Sequence, residues 1–123
     1  MESQSIEDAV NSLLVDVTAI RTTLAGIKSG SATYDLASLV DGAGATTTVT
    51  VTGAALGDFA LVSHTLDLQG ITCTAWVSAT NTVSVRFQNE TTGTLDIASG
   101  TIRACILPST FTAPASLTTT AGT

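Results

Sequence analysis

The chain has 123 residues and a mass of 12.4 kDa, room for one domain of ordinary size with a short appendage. Apolar residues make up 44% and charged residues only 11%, against about 25% in ordinary soluble domains, so a packed core is available and a disordered chain is excluded. Ten acidic against four basic residues leave a net charge of −6, and Arg21, Lys28, Arg86 and Arg103 are scattered, which excludes direct nucleic-acid binding through clustered phosphate contacts.

No run approaches the ~20 apolar residues that span a bilayer. Met1-Glu2-Ser3-Gln4 lacks the basic and apolar regions of a signal peptide, so a product assembled in a cytoplasm is expected. In that reducing compartment Cys73 and Cys105, both in strand-like apolar contexts, are expected as buried free thiols.

Three zones follow one another: a helix over 1–30, a β domain over 31–107 and an extended polar tail over 108–123. In the first, apolar residues fall at Ile6, Val10, Leu13, Val17, Ile20, Leu24 and Ile27. Steps of four and three alternate without error, the seven-residue period of a coiled-coil seam. Val10, Val17 and Leu24 then occupy position a, and Ile6, Leu13, Ile20 and Ile27 position d. Ser5 is expected as N-cap with Asp8 in the first turn, and Gly30 after Lys28 as the stop. Such a rod is about 37 Å long.

The β-branched residues at d disfavour a two-stranded coil. Leu14 at e and Ala9 at g widen the apolar stripe. Asp16 at g and Arg21 at the following e have the spacing of an interchain ion pair in parallel coils. A parallel homotrimer is therefore expected. Three heptads alone are marginal in water, so the β domain must add contact of its own.

From residue 31 the period changes to alternation. Strands are expected at Tyr34-Asp35-Leu36, at Thr46 to Thr52, at Phe59 to Val62 and at Leu66 to Leu68. Further ones fall at Ile71 to Val77, with Cys73, Ala75 and Val77 on one side and Trp76 on the other, and at Thr82 to Gln88, with Val83, Val85 and Phe87 inward. Leu95 and Ile97 form a short edge, and Thr101 to Ile106 closes the domain. Seven or eight short strands separated by Gly, Asn and Asp turns indicate an antiparallel β-sandwich or jelly roll. Asp35, Asp41, Asp58, Asp67 and Asp96 fall at strand ends, where carboxylates accept backbone N–H bonds. In the tail, Phe111 and Leu117 are the residues expected to dock on a neighbour.

Chemistry is sparse. His64 beside Ser63, with Asp67 nearby, has the residue types of a catalytic triad. Three residues along one strand do not wrap into its geometry, so His64 is expected to make surface or interface hydrogen bonds, and no catalytic residue is assigned. One His per chain is weak support for a metal site on a threefold axis, and no calcium or zinc pattern occurs; no metal or cofactor is expected. Asp41, Asp58 and Asp67 lack the clustered aromatics of a glycosidase. Trp76 and Tyr34 are expected in the core rather than on a sugar platform. Gly42-Ala43-Gly44 precedes a strand, not a phosphate-receiving helix.

Ser31 to Gly44 (SATYDLASLVDGAG), Thr46 to Thr52, Gly53-Ala54-Ala55-Leu56-Gly57-Asp58-Phe59, Asn81 to Asn89 (NTVSVRFQN) and Leu95 to Ile106 together resemble a small β domain of tailed-bacteriophage virion proteins. The resemblance covers about residues 30–107. It implies a trimeric, jelly-roll-like structural protein: a capsid decoration (cement) protein, a head fibre or a tail-associated module, with no catalytic residue to transfer. A homotrimer matches the threefold positions of a shell, and low charge suits a surface covered by protein. The expectation is a cement trimer on the capsid exterior of the virion, with the major capsid protein and neighbouring cement trimers as partners and no membrane contact. The alternative is a head or tail fibre knob contacting the host surface, and a third class is a glycan-binding module.

Overall fold

A computed structural model describes residues 2–111. The chain divides into two compact units. One contains helix α1 (Glu2–Ala25). The other, Ile27–Thr110, holds six strands: β1 (Lys28–Tyr34), β2 (Gly44–Thr50), β3 (Phe59–His64), β4 (Thr72–Ala79), β5 (Thr82–Gln88) and β6 (Gly100–Leu107). The molecule is mainly β.

Helix α1 starts earlier and ends earlier than its sequence signals indicate. Ser5 lies inside it and is not its N-cap. Gly26 turns the chain directly after Ala25, because a residue without Cβ has the least to hold it helical. Ile27 therefore falls outside the helix and does not extend the seam, although its spacing continues the heptad. Gly30 is not the stop either: it is the third residue of β1.

All strand pairings are antiparallel, in two three-stranded sheets of order β1-β6-β3 and β2-β5-β4. The sheets lie face to face, with β1 near β2 and β3 near β4, as in a β-sandwich. Each central strand supplies the inner layer. Val83, Val85 and Phe87 of β5 and Ile102, Ala104 and Ile106 of β6 are buried. Val49, Val51 and Val77 widen this layer, while Leu36, Leu39, Ile71 and Ile97 close it from the loops. Fully burying a side chain of this size contributes about 1.5–3 kcal/mol.

The alternation over 82–88 matches β5 residue for residue. Leu66 to Leu68 forms no strand, and Leu95 makes only an isolated bridge to Leu39. Tyr34 ends β1, and the buried Leu36 follows it as loop. Trp76 is not in the core: it stands 45% exposed on the outer side of β4, as alternation with Cys73, Ala75 and Val77 dictates. Tyr34 does pack inward, stacked on Phe87 with ring centroids 5.8 Å apart.

Two asparagines flank β5. Asn81 takes the left-handed conformation (φ 62°) that the β4–β5 turn requires, and its Oδ1 accepts the Gly53 N–H at 2.8 Å. Asn89 is fully buried with every side-chain bond made. Its Nδ2 donates to the Leu39 and Gly93 carbonyls, both at 2.8 Å, and its Oδ1 accepts the Thr91 N–H at 2.9 Å and hydroxyl at 2.7 Å. Its backbone exchanges further bonds with Gly42 and Ala43. Replacing Asn89 by Leu keeps the volume but strands these partners, with an expected loss of about 3 kcal/mol in urea unfolding.

At Gly30 the backbone of β1 comes close to that of β2. A Cβ added there would collide with the Thr50 carbonyl oxygen, a backbone atom that cannot swing aside. Gly30→Ala is therefore expected to cost about 3 kcal/mol, read as a lower urea midpoint with an unchanged slope.

Candidate assembly surfaces

The residue types that carry chemistry do not converge. Ser63 and His64, as neighbours on β3, point to opposite faces of the sheet. His64 turns inward, edge-on to Phe87 at 6.1 Å, and its Nδ1 accepts the Leu66 N–H at 3.0 Å. Asp67 Oδ1 accepts the Gln69 N–H at 2.9 Å, which leaves it engaged in its own turn. Asp58 ties two segments together: Oδ2 accepts the Ala55 N–H and Oδ1 the Ser109 N–H. These two aspartates have the turn role expected of them. Among the described residues no group of three His, Cys, Asp or Glu side chains is placed to hold a metal ion. Among the described residues no helix is long and apolar enough to cross a membrane.

What the molecule presents instead is exposed apolar surface. Ile6, Val10, Leu13, Val17, Ile20 and Leu24 all lie on α1 and stand between 37% and 65% exposed. Residues three and four apart share a helix face, so these six form one continuous stripe. Leu14, the expected flank of that stripe, is exposed as well, and so is Val15, which lies off it. Some polar side chains of the helix bond within it. The Thr18 and Thr22 hydroxyls donate to the Leu14 and Thr18 carbonyls, and Gln4 donates to Asp8. Asp16 and Arg21, five residues apart, do not face one another along a single helix. Of the nine residues assigned to an interchain seam, eight lie on the helix and Ile27 does not.

The outer faces of the two sheets differ. On β2-β5-β4 the outward residues are Thr46, Thr48, Thr72, Thr74, Ser84 and Arg86, with Trp76 as the single large apolar group. Arg86 is held flat there, donating to Thr46 Oγ1 at 3.3 Å and Gln88 Oε1 at 2.9 Å. Ser84 donates to Ser78 Oγ at 2.6 Å across the bulge near the end of β4. Arg86 and Ser84 thus find partners within this hydroxylated surface.

The outer face of β1-β6-β3 is apolar at one end. Phe59 is 58% and Leu61 60% exposed, and they pair in register with Leu107 and Cys105. Next to them a shallow hollow of about 410 Å³ opens between Ser29, Ser31, Leu61, Ser63, Arg103 and Cys105. Sequence alternation places Phe59 and Leu61 on one face of a strand, but whether that face is inner or outer depends on which sheet receives β3.

The two cysteines sit in different sheets, both free and both half-buried rather than fully buried. Cys73 points inward opposite Phe87, and Cys105 outward opposite Leu61. Phe111 is exposed; Leu117, the other tail residue expected to dock, lies outside the described residues. No protein-family model, curated protein or solved structure matches this chain.

Desolvation by the surrounding core raises the Cys73 thiol above its ordinary range. A raised thiol holds less thiolate at any given pH, and the thiolate is the reacting form. In a Cys105→Ser variant, iodoacetamide labelling of Cys73 is expected to lag a free-cysteine standard at pH 8 and to approach it only as pH rises further. Equal rates at pH 8 would contradict this placement.

Proposed function

We propose that this protein is a homotrimeric structural component of a tailed-bacteriophage virion, a capsid decoration (cement) protein that binds and stabilises the shell of major capsid protein. The observation that carries the reading is the exposed seam: six apolar residues at strict heptad spacing on a helix that buries none of them within its own chain. An apolar stripe of that length in water calls for like stripes to cover it. β-branched Ile at two d positions, Ile6 and Ile20, favours three strands, and Asp16 with Arg21 favours parallel ones.

A threefold molecule matches the symmetry of threefold sites on a shell, and each contact it makes there is tripled by avidity. The β-sandwich is consistent with the jelly-roll-like virion domain that residues 30–107 resemble. With its carboxylates confined to helix and loops, the sandwich offers neutral sheet faces to protein neighbours rather than a charged surface to nucleic acid. On this reading the protein resides on the capsid exterior.

Trp76, exposed on a threonine-rich sheet face, is the one observation that favours the second reading, a head or tail fibre knob touching the host surface. The two readings differ in copy number. A cement protein approaches the number of shell subunits, whereas a fibre is far scarcer, which quantitative gels of purified particles resolve.

The deciding experiment adds purified protein to capsids that lack it. The native chain is expected to sediment as a trimer, bind the shell and raise the temperature of DNA release. Ile20→Asp places three carboxylates in the seam; that variant is expected to sediment near 12.4 kDa and leave the release temperature unchanged. A native chain that is monomeric, or that binds without raising the release temperature, would overturn the cement reading.

A further inference from the structure

We infer that the outer face of β1-β6-β3 is a second contact between copies of this chain, packed in the same assembly as the helical seam; the inference rests on the trimer reading above. The first argument is area. The exposed parts of the six seam side chains amount to something on the order of 500 Å² on about three heptads, and a coil that short is marginal in water by itself. Phe59 and Leu61, with the half-buried Leu107 and the hollow beside them, supply further apolar area on one sheet face.

The second argument is connectivity. β1 starts at Lys28, three residues after the helix ends at Ala25, and that stretch spans at most about 10 Å. Helices joined side by side therefore hold their β1 strands at an effective concentration in the millimolar range. β1 is an edge of the sheet in question, and its Ser29 and Ser31 line the hollow.

Shape and charge agree with a like partner. In a cyclic trimer each copy presents one part of its interface to a different part of the next. This face has both parts: an exposed apolar end at Phe59 and Leu61, and a hollow walled by three serines, Leu61, Arg103 and Cys105. The charged residues on its three strands are Lys28 and Arg103 and none of the ten carboxylates, so the face sets cations, not carboxylates, against the next copy of a chain with net charge −6. The opposite outer face, β2-β5-β4, is equally free of carboxylates but hydroxylated, and its Arg86, Gln88 and Ser84 are already bonded.

The test compares three single substitutions in the full chain by sedimentation velocity over a dilution series. Leu61→Asp is expected to raise the concentration at half-dissociation at least tenfold, Ile20→Asp to abolish the trimer, and Thr74→Asp, on the other sheet face, to change nothing. If Leu61→Asp matches the native chain while Ile20→Asp dissociates, this inference is wrong and the helical trimer stands. If the native chain is itself monomeric, both fall. A second measurement needs no disruptive variant. In a Cys73→Ser background, Cys105 is expected to alkylate at least tenfold more slowly in the trimer than after dilution below the dissociation range. An equal rate in both states would overturn the inference even if Leu61→Asp failed to fold.

Discussion

Two three-stranded sheets have four faces and can bury only two of them against each other. In this chain the buried pair is built by the central strands, β5 and β6, whose Val83, Val85, Phe87, Ile102, Ala104 and Ile106 meet in the interior. A sandwich this thin has little tolerance at its edges. The β1 backbone comes so close to the end of β2 that only a glycine fits at position 30. Its open ends are closed by loop residues, and two asparagines at either end of β5 tie those loops down through hydrogen bonds. Everything left over, the two outer faces and the whole of α1, must either be polar or be covered by something else. One outer face took the first course and the helix did not.

How far the sequence discloses this architecture depends on how local the cause is. Period is local, and the strict alternation over 82–88 identifies β5 together with its inner and outer sides. The heptad over residues 6–24 identifies the helix in the same way. β1 is the opposite case. Lys28-Ser29-Gly30-Ser31 has low strand propensity, and the segment is a strand because β6 lends it a partner across the full register from Lys28–Ile106 to Tyr34–Gly100. The end of the helix was hidden because two signals conflict there. Ile27 continues the heptad while Gly26 breaks the backbone, and the backbone prevails. Leu66 and Leu68 look like strand alternation but bracket the turn in which Asp67 bonds Gln69.

The candidate assembly surfaces divide along the same line. The apolar stripe of α1 is legible because it is a period on one helix. The apolar outer face is not, because Phe59, Leu61, Leu107 and Cys105 come from strands more than forty residues apart, brought together by β3–β6 pairing. Asn89 was equally opaque. In sequence it is one more turn residue between Gln88 and Glu90, and only the folded chain shows it saturating four side-chain hydrogen bonds without solvent.

The two outer faces differ in what they would offer to a neighbouring copy. An antiparallel sheet with one solvated face alternates apolar and polar residues, and β2 does so with threonine, whose β-branched stem keeps strand propensity while its hydroxyl meets water. Had both outer faces carried residues like Phe59 and Leu61, copies would stack without a closing symmetry, the route to filaments. The exposed apolar surface is instead confined to one sheet face and one helix stripe. The threonine face carries hydroxyls in their place. Trp76, on the edge strand β4, is the one large apolar side chain on that face, 45% exposed among hydroxyls.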